Sequence, residues 1–453
     1  MEEIGGADIP VLTWAPDLEE GARRQALNCA NLPVAFHHVA VMADGHQGYG
    51  VPIGAVLALD GAISPYAVGN DIGCGMALVP TSLSRDQLLA PLPTPSGKAG
   101  PIARDEVMGS VQAVIPAAGG HVAGTGGDDN DDVRPLLHDA FDALEEAADL
   151  CATPLSTSQS INPQQGRRLT RDDFVARGVS QAGTLGAGNH FVELLAGPDG
   201  DVAVMLHSGS RGVGSLICNN FHRFALRYCH QGGQSLPDPG LAWLPVGDGG
   251  ERWLRVGRAY ERALHAGLGY AERNRRRMLD AVGAILERHF PAAMQWDRMV
   301  NIHHNDATNE SHFGHRVWVH RKGAVKASPG VATITPGSMG TFTYLGRGLG
   351  HPASFSSCSH GAGRVMSRRQ ARRQLSVRRE LERIDLAGGK VFATSGEAVL
   401  DEMPAAYKDL DQVMANQSEL VEPARRFTPI ATYKGSEKPR RGRGERWRPA
   451  EER

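Results

Sequence analysis

Four short segments carry side chains that could hold a metal ion. In GNDIGCGM, residues 69–76, Asp71 and Cys74 stand three apart among glycines. Glycine lets backbone and side chains crowd a small site, and a carboxylate beside a thiolate is a metal-binding pair. Read alone, the stretch also fits a turn aspartate and a buried structural cysteine. In GTLGAGNHFVE, residues 183–193, Asn189, His190 and Glu193 lead into an apolar run. Its glycines resemble a phosphate loop, but the Lys-Ser/Thr ending of a Walker A motif and the strand-then-helix setting of a dinucleotide site are both missing. An ordinary loop with a satisfied histidine is the alternative. In HSGSRGVG, residues 207–214, His207 ends the apolar run VAVML, and Ser208, Gly209, Ser210 and Arg211 could form an anion-binding turn. In NIHHNDATNE, residues 301–310, His303 and His304 are adjacent; on a strand they would face opposite ways, so only one can enter a given site.

Asp71, Cys74, His190, His207 and one of the paired histidines thus come from separated segments and lack zinc-finger spacing. A bridging thiolate with three imidazoles and a carboxylate suits a two-metal site of zinc, manganese or iron type, and ligand type alone does not choose among them. A further histidine, His360, lies in SSCSHGAGRVMSR, residues 356–368, on bare backbone followed by Arg364 and Arg368. It could be a ligand, a nucleophile, an RNA contact or a loop histidine. The chain has no P-loop and no Lys-x-Asp-Gly nucleophile. If a nucleotidyl group is carried covalently, another side chain carries it; histidine can, and its neutral form persists near pH 7.

The elements that must position these residues read as α+β. Short apolar runs alternate with glycine turns over residues 1–80 (HVAVM, GAVLAL, MALVP), as strands joined by loops do. Residues 91–135, rich in Pro, Gly and Asp, read as a mobile excursion. Helical spacing follows in LLHDAFDALEEAADL, strand patterning in FVELLA and VAVMLH, and a long helix over about 257–290, in which the charge run RNRRRM reads as a solvated face. Strand-like segments return over 315–345, a second basic helix over 364–385, and the Arg-rich tail 436–453 reads as disordered. The mixed order favours α+β over a regular parallel α/β sheet.

Composition narrows the class. The 453 residues are 41% hydrophobic and 22% charged with a formal net charge of −2, as in a soluble globular protein without a global field for nucleic acid. Only seven of the 48 basic residues are Lys. Arg suits phosphate recognition, although genomic base composition gives the same bias. No apolar run reaches membrane-spanning length, the start MEEIGGADIP lacks a secretory signal, and six scattered cysteines without a C-x-x-C pair fit free thiols in a reducing cytoplasm.

The motifs DGHQGYGVPIG, DIGCGM, GTLGAGNHFVE, HSGSRGVG, HHN, RKGA, PGSMGT, SHGAGRVMSR, AYKDLDQVM and YKG occur in the order seen in RtcB-type RNA ligases, and the resemblance runs from about residue 25 to Gly435. It implies a single catalytic domain, 1–435, with mixed β-sheets flanked by helices around a central two-metal/GTP cleft. It implies a GTP- and Mn²⁺-dependent ligase that joins an RNA 3′-phosphate or 2′,3′-cyclic phosphate end to a 5′-hydroxyl end, in tRNA splicing or RNA repair, with an archease-like activator as a partner of the family. By position, Cys74 would bridge two Mn²⁺ ions, Asp71 and His190 would complete one, and His207 and His304 the other. His360 would take GMP from GTP. Asn189, His190, Phe191, Val192, Glu193, His304, Asn305, Pro336, Gly337, Ser338, Met339, Thr343, His360, Gly361, Ala362, Gly363 and Lys434 would line the guanylate, with Glu193, Thr343 and Lys434 at the base and Tyr407 nearby. Arg211, Lys322, Arg364 and Arg368 would hold RNA-end phosphates. Ala43, Asn70 and Thr343 depart from the family pattern, and Asn70 beside Asp71 bears on metal affinity. The competing class is a two-metal cyclic phosphodiesterase or end-trimming hydrolase, which would need the ligands but neither His360 nor Lys434.

Overall fold

The computed structural model describes residues 1–96, 98–117, 132–158, 166–393 and 399–435. Two sheets dominate. The first has six strands in the order Glu2–Ile4, Val11–Thr13, Ala35–Tyr49, Val51–Leu59, His315–Lys322 and Asn305–His312. The second runs Val300–His303, Gly75–Ser84, Asp201–Ser208, Phe191–Ala196, Val421–Lys434, Thr343–Gly348 and Ala332–Pro336, with Val391–Ala393 pairing parallel to the end of Val421–Lys434. The inner strands of both sheets are covered on two faces, so Val51–Leu59 and Phe191–Ala196 are buried almost throughout, whereas the edge strand Asn305–His312 is polar and partly exposed.

Side chains alternate across each sheet with the two-residue period of a strand. Val39, Val41, Leu57 and Leu59 pack against the helices Arg134–Cys151, Arg211–Gln231 and Arg252–Glu287. Ala40, Met42, Val56 and Ala58 pack on the opposite face, with Phe355, Cys358 and Val413. In the second sheet Ala77, Val79, Val204 and Leu206 meet Met278, Val282 and Leu286 of the long helix, while Met76, Leu78 and Met205 face Ile334 and Phe427. The 36-residue helix Arg252–Glu287 therefore contributes to the cores of both sheets.

Within the stretch 91–135, read from the sequence as a mobile excursion, Pro91–Pro93 pairs with Ala99–Ile102, and Ala103–Val114 is a helix burying Val107, Met108 and Val111 against the second sheet and the long helix; residues 97 and 118–131 lie outside the described residues. Two sequence expectations are corrected. The basic segment 364–385 is two helices, Arg368–Gln374 and Val377–Leu386, broken at Leu375 and Ser376. The run RNRRRM is not simply solvated, because Asn274 and Arg275 are buried. The tail 436–453 lies outside the described residues.

Candidate metal and nucleotide site

The predicted ligands converge at one end of the second sheet. Strand register sets Gly75 opposite His303 and Ser208, and His207 opposite both Met76 and Phe191. The strand residue His207 and the loop residues just before Gly75 and Phe191 are thereby brought together, which joins Cys74, His190 and His207. His304 sits between the strands Val300–His303 and Asn305–His312, where the chain passes from one sheet to the other. Its N–H donates to Cys74 O at 2.8 Å, and its carbonyl accepts from Gly323 N–H at 2.8 Å. The neighbouring His303 points elsewhere, to Asp306 at 3.3 Å, as the opposite-face rule requires.

Two donor groups overlap at a single thiol: Asp71, Cys74 and His190 form one, and Cys74, His207 and His304 the other. The Cys74 Sγ lies 3.5 Å from His190 Nε2 and 3.3 Å from His207 Nε2, and Asp71 Oδ2 lies 3.0 Å from His190 Nε2. Backbone oxygens fix two of the rings: His190 Nδ1 faces Leu185 O at 2.8 Å, and His207 Nδ1 faces Asn189 O at 3.0 Å. His304 Nδ1 faces Asn305 Oδ1 at 3.3 Å. These acceptors assign the proton to Nδ1 and leave each Nε2 lone pair turned inward. His207 Nε2 and His304 Nε2 then stand 3.0 Å apart. Two lone pairs at that separation repel unless a cation lies between them, and burial holds both imidazoles well below their ordinary pKa, in the neutral ligand form. Burial and the adjacent Asp71 hold the Cys74 thiol far above its ordinary value, a penalty that a bound cation removes. Residue types, tautomers and spacing all fit divalent metal.

Asn274 and Arg275 of the long helix lock the ligand loops. Arg275 donates from Nη1 to Gly73 O at 2.6 Å and Ser208 O at 3.1 Å, and from Nε to Asn301 Oδ1 at 2.9 Å. Asn274 accepts from Gly183 N–H at 2.8 Å and donates to Gly209 O at 3.0 Å. The glycine loop before His190 has a steric role: a Cβ on Gly186, at φ 99°, would come 2.3 Å from Arg211 Nη1 and 2.6 Å from His190 Nδ1.

His360 lies against His304, ring centroids 4.7 Å apart. Its Nδ1 stands 2.6 Å from Asp44 Oδ2, an oxygen that also accepts the His360 and Gly361 N–H groups at 3.1 and 3.2 Å. Burial opposes the Asp44 charge, but His360 beside it brings the carboxyl below the usual range. The sequence reading did not single out Asp44; its position in the DGH motif was the available signal.

Both centres open into a cleft of about 800 Å³. Among the residues assigned to nucleotide, Asn189, Phe191, Glu193, Asn305, Lys434, residues 336–339 and residues 360–363 line it. His190, Val192 and Thr343 do not: His190 is buried beside Asp71 and Cys74, Val192 packs into the core of the second sheet, and Thr343 is buried in a strand between Pro336 and Phe427. Burial pushes the Glu193 carboxyl up to about 7, against a hydrogen bond from Thr432 and the charge of Lys434. Of the assigned phosphate-binding cations, Lys322, Arg364 and Arg368 line the cleft. Arg211 does not; its Nε donates to Thr184 Oγ1 at 3.3 Å. Arg364 spends its donors on Met366 O, Asp401 O, Glu402 and Tyr407, which makes it a wall of the cleft with its fork already engaged. Glu402, a cleft residue buried among cations, was not read from the sequence either.

A family model described as "tRNA-splicing ligase RtcB" matches residues 25–435. Among curated proteins, the chain is 36% identical over 440 residues to "RNA-splicing ligase RtcB" of Escherichia coli strain K12, covering 94% of this chain and 98% of that protein. It is 33% identical over 456 residues to the protein of that name from Mycobacterium tuberculosis, covering 91% and 100%. It is 31% identical over 470 residues to "tRNA-splicing ligase RtcB" of Thermococcus kodakarensis, covering 91% and 90%. No helix among the described residues is long and apolar enough to cross a membrane.

Proposed function

Because the chain belongs to the RtcB family of RNA ligases, we propose that it joins RNA 3′-phosphate or 2′,3′-cyclic phosphate ends to 5′-hydroxyl ends, using GTP and two Mn²⁺ ions. The observation that carries this reading is the pair of donor groups sharing Cys74, with a carboxylate-backed histidine in the same cleft. Asp71, Cys74 and His190 would hold one ion, and Cys74, His207 and His304 the other. Two such cations supply charge stabilisation and alignment to phosphoryl transfer.

Asp44 beside Nδ1 keeps the His360 proton on that nitrogen and leaves the Nε2 lone pair free. Nε2 attacks the α-phosphorus of GTP; the N–P bond forms as the P–O bond to pyrophosphate breaks. An oxygen of the RNA 3′-phosphate then attacks the same phosphorus, releasing His360 and leaving a 3′-diphosphate-guanosine end. The 5′-hydroxyl attacks the RNA-side phosphorus, its proton passes to solvent, and GMP departs. A cyclic phosphate must first be opened by water. Glu193 and Lys434, both buried and lining the cleft, are the proposed partners of the guanine edge. Lys322 and Arg368 are the proposed grips on RNA-end phosphates, with Arg364 holding the wall behind them. The six buried free cysteines agree with a reducing compartment such as the cytoplasm, and split tRNA halves or cleaved RNAs are the proposed substrates.

The test is incubation of 3′-phosphate and 5′-hydroxyl RNAs with GTP and Mn²⁺. A joined product that requires both is expected. Opening of cyclic phosphate without GTP, and no joined product, would favour the two-metal hydrolase instead.

A further inference from the structure

Glu402 lies in the cleft, and no step described above uses it. Its side chain is 1% exposed. A carboxylate removed from water in this way is costly unless it is paired and hydrogen-bonded. Glu402 is paired on both oxygens, and the two sets of partners meet where Arg364 Nη1 donates to the Tyr407 phenol at 3.2 Å. Oε2 accepts from Lys434 Nζ at 3.3 Å and from the Tyr407 phenol. Oε1 lies 3.3 Å from Arg364 Nη1 and 3.3 Å from Arg368 Nη2. Lys434 is itself 3% exposed and sits over the Phe191 ring at 5.5 Å, beside the proposed guanine pocket. Arg368 is 46% exposed, on the side proposed for the RNA end.

We infer that Glu402 is a positioning residue shared by the two substrates, one oxygen fixing Lys434 and Tyr407 for the nucleotide and the other fixing Arg364 and Arg368 for the RNA end. The inference rests on the functional reading above and adds to it a physical link between the two subsites. One carboxylate holds both sets of partners, and the Arg364–Tyr407 hydrogen bond joins them directly. Occupancy of the nucleotide pocket is thereby felt at the arginines, and the effect is reciprocal.

The test compares wild type, Glu402→Gln and Glu402→Asp, with folding checked by thermal melting. The KM for GTP is read from formation of the protein–GMP adduct, and the KM for RNA from transfer of GMP to a 3′-phosphate oligonucleotide. Glutamine keeps the shape and loses the charge. Losing a charge-assisted contact on each side should raise both KM values by at least about tenfold. The maximal rate of adduct formation should stay within about threefold, because Glu402 does not touch the reacting atoms. Aspartate retains the charge on a shorter arm and should fall between wild type and the glutamine variant for both substrates. A rise in only one KM overturns the inference, as does a fall in maximal rate with both KM values unchanged. Should the glutamine variant fail to fold, the aspartate variant carries the test: parallel rises support the link and a rise in one alone overturns it. Wild-type protein that takes no GMP from GTP overturns the functional reading, and this inference with it; a labelled wild type with unaltered variants overturns this inference alone.

Discussion

Arg275→Met should separate what holds the metal site from what forms it. Arg275 is 2% exposed and donates three hydrogen bonds, to Gly73 O, Ser208 O and Asn301 Oδ1. Burial lowers its pKa to about 10, so it remains charged at neutral pH. Hydrogen bonds to charged groups contribute about 1.5–3 kcal/mol each, but methionine also removes the cost of burying the guanidinium and fills part of its volume. The net expected loss is about 3–5 kcal/mol, because three buried acceptors lose their donor at about 1–3 kcal/mol each, offset in part by relief of the buried charge. Two of the orphaned acceptors adjoin ligands: Gly73 precedes Cys74, and Ser208 follows His207. Slackening both loops should weaken Mn²⁺ binding by about ten- to a hundredfold, as loss of outer contacts to metal ligands does. Urea unfolding gives the first quantity and calorimetric Mn²⁺ titration the second. A variant with wild-type unfolding midpoint and wild-type Mn²⁺ affinity would refute the locking role of the long helix.

Three other outcomes are expected. Asp44→Asn can turn an amide N–H toward His360 Nδ1 and move the ring proton to Nε2, so adduct formation should slow by roughly 10²–10⁴-fold with Mn²⁺ binding intact; rapid labelling of this variant would count against the assigned tautomer. Cys74→Ala removes the only donor common to both groups and should abolish binding of two ions in the same titration; retention of two-ion stoichiometry would argue against a bridging thiolate. Glu193, ordinarily near 4.5, holds its proton to about pH 7 in the folded protein. Its contribution to stability is therefore fully present below pH 4.5 and lost as pH rises through about 7, a difference of about 3 kcal/mol. Glu193→Gln should show no such loss, so its stability relative to wild type should rise across that window in urea melts, and a pH-independent difference would contradict the buried-acid assignment.

The candidate ligand residues stood out in the sequence because they border apolar strands, as Cys74 does before Gly75–Ser84 and His207 does near the end of Asp201–Ser208. The α+β class followed from the mixed order of strand-like and helical segments. What stayed hidden were polar residues whose burial depends on tertiary packing. Arg275 resembled its surface neighbours in RNRRRM, of which Arg276 does lie outside, over the Trp296 ring. The available signal was periodicity: Ala271, Asn274, Arg275, Met278 and Val282 share one helical stripe, and all are buried. The helix Ala103–Val114 was obscured by the Pro, Gly and Asp residues around it, although Val107, Met108 and Val111 have helical spacing. Glu402 gave no sign of its charge partners, since Arg364, Arg368 and Lys434 arrive from 38, 34 and 32 residues away and only the Tyr407 phenol is local.

The central claim is that His360 carries the guanylate. Wild-type protein and His360→Ala are incubated with Mn²⁺ and GTP labelled at the α-phosphate, and the label is mapped by acid-labile adduct analysis and mass spectrometry. The account predicts one GMP on His360 in the wild type and none in the variant. Equal labelling of the variant would contradict it.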